Sequence, residues 1–490
     1  TATTEIYTLS LPTLFRSKNR HESLHICILK VPKPKYTEEI HAMSTIQYNA
    51  TNIHHSFHHF SKLVHLSAVL RRSNIFKARG IQTELLFEWL LTTIFNRYSI
   101  FRAEPATTFS KRTVRNCLNN AHTNWQRLVQ LVGVRLAEYV QKFTDSRRRQ
   151  ALIIDDSLFK REFSKKTELL ARVFDHDKQC YFKGFRALTL GWSDGNTFLP
   201  LNFALMSSRN AENQVGLFKA TDHRSLAAQR RSQAVRKMNN VALELVDAAI
   251  KSGVKAKYVL FDSWYASPQM FSELLKRHRD GIGMLKKTKK VYFRYRGREM
   301  DVKTLYNLLR RSKWSTKTQY LYSPVVTFEV AGKAMPMKLV FVTKRGQTDQ
   351  YLVLATTKLA LRPSEIIQMY GRRWQIECYF KVAKQYLQFD QTQIQSYDGL
   401  CGHMAMVILS YDILALAQRE NTDQRTLGDL FYDYSRPLPD IEVVQALNWL
   451  LKMITGLGER FAMMTEVLDS IFDEFKKALP SSLVRLLGNA

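Results

Sequence analysis

Few cysteines, few acidic residues and no long apolar run mark this sequence of 490 residues. The five cysteines, Cys27, Cys117, Cys180, Cys378 and Cys401, are scattered and form no C-x-x-C pair. That pattern argues against a disulfide framework and a structural zinc site, and it fits a reducing compartment. No apolar stretch approaches the roughly 18 residues needed to cross a bilayer, so no membrane partner is expected. The stretch up to Ala42 has no apolar h-region and does not read as a signal peptide. With Met43 as an alternative start, residues 1–42 are expected to be an extension or a mobile tail. Internal repeats and low-complexity tracts are also missing.

The shortage of acidic residues is the most informative lack. Against 43 Asp plus Glu stand 73 Lys plus Arg, a net charge of +30. Such an excess favours polyanions, and nucleic acid leads the expected partners, because phosphate contacts release counterions. With 45% hydrophobic residues the chain can build ordinary cores, and its length allows about two to four structural units.

From about Ser61 to Phe143 apolar residues recur at helical spacing, as in LLFEWLLTTIF (85–95) and WQRLVQLVGVRLAEYVQKF (125–143), with a break at Pro105. The spacing predicts a helical bundle. Between these runs Ser110 is placed to cap a short helix presenting Lys111, Arg112 and Arg115, as in a helix laid on a phosphate backbone or in a groove. A solvated basic face would give the same pattern. His54, His55, His58 and His59 read as a polar surface.

After the basic link at 146–150 the pattern turns to strands at 151–155, 180–192 and 196–206, a helical stretch at 225–251, a strand at 257–262 and a helix at 267–279. Strands alternating with helices predict an α/β core. Residues 284–357 are again rich in strands, with one short helix at 302–311. A long helix is expected from a Ser364 cap to about Leu387, then helices at 403–418, 441–456 and 461–478. The expected organisation is an extension (1–42), a helical DNA-binding domain (43–148), a core in two parts (149–283 and 361–420) around a β-rich insertion (284–360), and a C-terminal helical region (421–490).

Asp155 and Asp156 close the first apolar strand and Asp262 closes a later one. Ends of strands in an α/β sheet gather distant residues into one crevice, and carboxylates there suit a hard divalent cation. Each aspartate alone is equally well a turn or helix cap. In the helix after Ser364, Tyr370, Arg373, Glu377 and Lys384 are spaced by 3, 4 and 7. At about 100° per residue they share a sector of roughly 60°. An i, i+4 salt bridge accounts for Arg373 with Glu377, but not for all four residues on one narrow face.

The run Tyr370-x-x-Arg373-x-x-x-Glu377-x-x-x-x-x-x-Lys384 resembles, without a gap, the signature of the insertion-sequence-four family of bacterial DDE transposases. IIDDS (153–157) looks like that family's first-aspartate strand and VLFDSWYA (259–266) like its second. The resemblance spans about 150–420. It implies an RNase H-like catalytic core with a β-rich insertion. It also implies a metal-binding catalytic triad of Asp156, which precedes Ser157, with Asp262 and Glu377; Asp155 is the alternative first ligand. Two Mg²⁺ ions per site, replaceable by Mn²⁺, would activate water or a 3′-hydroxyl for in-line attack at phosphorus.

By the same resemblance Tyr370, Arg373 and Lys384 contact terminal phosphates, and DNA ends open through a hairpin with an aromatic residue on a flipped base. Trp314, Tyr320 and Tyr322 are candidates for that residue by location. Trp264 is expected to pack, and His403 has only a weak claim to an accessory role. The implied partners are duplex DNA with terminal inverted repeats and target DNA, bound by a homodimer in a synaptic complex in the bacterial cytoplasm, at the nucleoid. A structure-specific nuclease of the same fold would use the same carboxylates without joining. An inactive DNA-binding inhibitor would need none of them.

Overall fold

The computed structural model describes residues 49–420 apart from 78–79, 104–105, 107, 145–146, 176–177, 220, 289–290, 310–319 and 344–349. The extension at 1–42, Cys27, Trp314 and the helices expected at 441–456 and 461–478 lie outside the described residues. Two compact units divide the chain, Thr1–Leu24 with Ser56–Leu430 and His25–His55 with Phe431–Ala490. Of the second, only residues 49–55 are described, at the start of the first helix.

The chain begins with α1 (Asn49–Leu63), α2 (Leu66–Arg72), α3 (Thr83–Phe95), α4 (Lys111–Leu118) and α5 (Trp125–Gln141). The expected cap is present on α4, where Ser110 Oγ accepts the Thr113 N–H at 3.4 Å. On α5, Asn124 accepts the Arg127 N–H at 2.9 Å, and Leu128, Val129, Val132, Leu136 and Val140 form the buried stripe. His54, His55, His58 and His59 are exposed, as a polar face requires.

Next come β1 (Ala151–Lys160), β2 (Ala171–Asp175), β3 (Cys180–Ser193) and β4 (Phe198–Met206), then α6 (Leu226–Ala234) and α7 (Met238–Lys251). They are followed by β5 (Tyr258–Phe261), α8 (Pro268–Lys276) and β6 (Asp280–Met284). β3 pairs antiparallel with β1, β2 and β4. β5 runs parallel to both β1 and β6. Gly133 lets α5 close on β4, since a Cβ there would lie 2.9 Å from the Pro200 carbonyl oxygen. Gly281 and Gly283 leave room on β6 for the rings of Phe271 and Phe261, which any side chain would overlap.

The strand-rich stretch supplies β7 (Phe293–Tyr295), β8 (Arg298–Met300), α9 (Val302–Leu309), β9 (Tyr320–Tyr322), β10 (Val325–Val330), β11 (Lys333–Thr343) and β12 (Tyr351–Thr356). These strands continue the core sheet, because β12 pairs antiparallel with β6. The strand order is β2-β3-β1-β5-β6-β12-β11-β10-β7-β8, with β4 on β3 and β9 on β11. The result is the α/β class expected, one large mixed sheet flanked by helices.

Where one helix was expected after Ser364, two are found, α10 (Pro363–Gly371) and α11 (Trp374–Gln385). Arg362 caps α10, with its N–H donated to Glu365 Oε2 at 2.8 Å. Near Arg372 and Arg373 the backbone tightens: their N–H groups reach Met369 O at 3.1 Å and Tyr370 O at 3.0 Å, both i→i−3. The last described helix, α12 (Tyr397–Glu420), is long and apolar enough to cross a membrane, contrary to the reading that no run approaches that length. Its most apolar window is wholly buried inside the protein, which suits a core helix.

A buried ion cluster ties α12 to α6. Arg231 donates to Glu168 at 2.7 Å and to Asp398 at 2.8 Å, while Arg230 donates to Asp398 and to the Thr123 carbonyl oxygen. All four charged groups are at most 7% exposed. Removing one carboxylate leaves both guanidiniums short of a buried counter-charge, so Asp398→Ala should destabilise the fold by about 3–5 kcal/mol. Chemical denaturation will check this. A loss below about 1 kcal/mol would mean that solvent already screens the cluster.

Candidate active site

The register of β1 decides which aspartate meets Asp262. Ile154 lies opposite Phe261, the last residue of β5. One step further along each chain stand Asp155, midway along β1 where its parallel pairing with β5 stops, and Asp262, just past the end of β5. Successive strand side chains point to opposite faces. Asp155 and Asp156 therefore leave β1 on opposite sides, yet the Asp156 charge acts on both Asp155 and Asp262.

The contacts agree. Arg373, at the head of α11, donates to Asp155 Oδ2 at 3.0 Å and also to Glu377 Oε1. Its buried Nε has no hydrogen-bond partner among the described residues. Burial raises the Asp155 carboxyl well above the usual carboxylate range; Arg373 works against this, and the charges of Asp262 and Asp156 add to it. Burial also raises Asp262, against the Trp264 N–H, which donates to its Oδ1 at 2.9 Å, and against Arg373, while the charge of Asp156 adds to the rise.

Asp156, expected to be the first metal ligand, is engaged elsewhere. One oxygen accepts from Arg186 of β3 and the other from the Tyr265 hydroxyl at 2.7 Å. Both partners were missed in the sequence, since cross-strand neighbours leave no local spacing. Asp156 also donates its backbone N–H to Asp155 Oδ1 at 2.8 Å.

Of the signature residues, Tyr370, Arg373 and Glu377 gather and Lys384 does not join them. Tyr370 is buried at 3% exposure, with the Arg373 guanidinium 5.7 Å from its ring centroid. Burial pushes its hydroxyl up to about 12. Lys384 lies over the Phe389 ring at 5.8 Å. His403 is a core residue: its Nε2 lies 2.9 Å from the Gln388 carbonyl oxygen, and burial lowers it to about 4, so it is neutral at physiological pH. Tyr322 is buried against Tyr306 and Phe341, which leaves no free face for a base. Tyr320 begins β9.

Trp264 departs from its expected packing role. It is 48% exposed, and the Lys286 ammonium sits 3.4 Å from its ring centroid, a cation–π contact. With Asp156 it edges a cleft of about 300 Å³ whose lining includes Arg172, Arg186, Arg209 and Arg236. On α4, Arg112 and Arg115 are exposed, while Lys111 donates to the Phe101 carbonyl oxygen at 2.6 Å.

The donor set of Asp155, Asp262 and Glu377 is all oxygen, which suits a hard divalent cation. Among the described residues no three His, Cys, Asp or Glu side chains are arranged to hold a metal ion, and Glu377 is turned to Arg373. Two raised carboxyls side by side still mark a concentration of negative charge that Arg373 offsets only in part.

A carboxyl whose folded pKa lies above its unfolded value costs stability once pH exceeds the unfolded value, and the cost grows until the folded value is passed. Asp155→Asn removes that cost. It should raise Tm at neutral pH by about 2 °C or more, and the gain should vanish below about pH 4, where unfolded Asp is itself protonated. Thermal melts at both pH values will read this; a lower Tm at neutral pH would mean that the Arg373 contact outweighs the repulsion.

A family model described as DDE superfamily endonuclease matches residues 101–318. That span takes in Asp155, Asp156, Arg186 and Asp262 and ends before Glu377. No curated protein matches the chain. Among solved structures, the piggyBac transposase in a synaptic complex with hairpin DNA aligns over 80% of each chain at 12% identity, with a TM-score of 0.40.

Proposed function

We propose that this chain is a DDE-type transposase that cuts DNA at transposon ends and joins the freed ends to target DNA. The observation that carries the reading is that Asp155 and Asp262 follow directly on the last parallel pair of β1 and β5, Ile154 with Phe261, with Asp155 and Glu377 both held by Arg373. The match of 101–318 to the endonuclease family supports it, as does the net charge of +30. The resemblance of the Tyr370 to Lys384 run to the insertion-sequence-four signature points the same way.

In this reading Asp155, Asp262 and Glu377 are the residues that would hold Mg²⁺ or Mn²⁺, two ions per site by the resemblance. When bound, the metal would activate water or a 3′-hydroxyl and stabilise the leaving oxygen. The protein's own groups position the DNA. Arg373 holds both Asp155 and Glu377 through its guanidinium. Trp264 and the arginine-lined cleft lie beside the acidic site for the strand that passes it. Asp156, held by Arg186 and Tyr265, keeps the end of β1 in place. Terminal inverted repeats as substrate, a hairpin step, a dimeric synaptic complex and a place at the bacterial nucleoid belong to the same proposal and rest on the resemblance alone.

Cleavage and joining of a labelled duplex carrying the element's terminal repeat, with Mg²⁺ or Mn²⁺, tests the reading. Asp155→Asn, Asp262→Asn and Glu377→Gln should each lose at least about 10³-fold in rate, as expected when several kcal/mol of charge stabilisation is removed. Asp156→Asn should lose far less. If Asp156→Asn is as inactive as the others while Asp155→Asn cuts normally, the assignment of the first ligand is reversed. Cutting without joining would make the chain a nuclease.

A further inference from the structure

A second cleft, of about 500 Å³, is lined by α3, α4 and the segment 388–396, which leaves a turn at 389–390 and joins no sheet. No Asp or Glu lines it. Its rim carries Arg115 of α4, Lys219, and Gln391, Gln393 and Gln395. The three glutamines are exposed, whereas Thr392 and Ile394 between them are half-buried. That alternation is the period of an extended strand.

The segment is pinned from behind. Arg161 donates to the Thr392 carbonyl oxygen and, at 2.8 Å, to that of Ile394. The Glu168 N–H reaches the Gln395 carbonyl oxygen at 2.9 Å. With its inner carbonyls held, the backbone presents Gln391, Gln393 and Gln395 outward on one side.

We infer that this edge reads base sequence in duplex DNA, with Gln391, Gln393 and Gln395 on base edges and Arg115 and Lys219 on phosphates. The inference rests on the transposase reading and deepens it. Residues two apart on a strand lie about 6.7 Å apart, close to two base steps at about 3.4 Å each. A row of amides thus keeps pace with every second base. Glutamine is suited to bidentate contact with adenine. A carboxylate-free rim beside two cations admits a polyanion without repulsion, and α4 supplies the adjoining basic face.

The test uses the full chain and a pool of random-sequence duplex DNA, from which wild type selects bound sequences. Wild type should enrich a motif. In the triple variant Gln391→Ala, Gln393→Ala, Gln395→Ala the affinity ratio of that motif to a scrambled duplex should fall, by about tenfold for each base-reading amide removed. Arg115→Ala with Lys219→Ala should instead weaken both duplexes alike and lower the salt slope by about one per phosphate contact. Thermal melting of each variant separates these effects from misfolding. If the triple variant enriches the same motif with the same ratio, or wild type binds every duplex equally, the inference falls and the transposase reading stands. If wild type binds no duplex, both fall.

Discussion

The parallel pairing of Ala151–Ile154 with Tyr258–Phe261 fixes where the acidic residues stand, and the rest of the site follows from it. Residues 161–257 separate the two strands, and only the sheet brings Asp155 and Asp262 level. The register is held by burial: Ile153, Ile154, Leu260 and Phe261 are at most 1% exposed. A slip of one residue would turn this apolar set toward the wrong face. The glycines of β6 serve the same end, since side chains at 281 and 283 would overlap the rings of Phe271 and Phe261. Packing at Phe261 thus fixes the residue that follows it, Asp262.

Charge around the site is arranged at two ranges. Close in, Arg373 donates to both Asp155 and Glu377 and offsets part of their negative charge. Further out, arginines line the cleft beside Asp156, and Lys286 sits on Trp264. The negative centre is local and its surroundings are positive, an arrangement that draws a phosphate backbone toward the carboxylates and concentrates it there.

What could be read from the sequence followed periodicity. The apolar runs at 85–95 and 125–143 matched helices, and the strands near 151, 180 and 257 were visible because β-branched and aromatic residues clustered between turn signals. The helix spacing also held Tyr370, Arg373 and Glu377 together. Lys384 stands on the same helix as Glu377 but two turns further along, about 10 Å at 1.5 Å per residue, where it lies over the Phe389 ring. The continuity of the core sheet through β6 and β12 was not legible, because strand partners far apart in sequence carry no mutual mark. Arg186 and Tyr265 were hidden for the same reason. Trp264 was misjudged because a large aromatic ring is more often buried than left at a rim.

The choice between Asp155 and Asp156 turns on parity. Neighbouring residues of one strand face opposite ways, so adjacent aspartates meet different partners. The motif resemblance favoured Asp156 because Ser157 follows it, but resemblance counts positions and has no view of faces. In the fold Asp156 meets Arg186 and Tyr265, which satisfy both its oxygens, whereas Asp155 meets one guanidinium and the negative charge of Asp262. A satisfied carboxylate stabilises the structure; one left with excess negative charge has affinity to spare for a cation. The two are also linked, because the Asp156 N–H donates to Asp155 Oδ1. Arg186 and Tyr265 therefore act on the site through Asp156, by holding the backbone that orients Asp155.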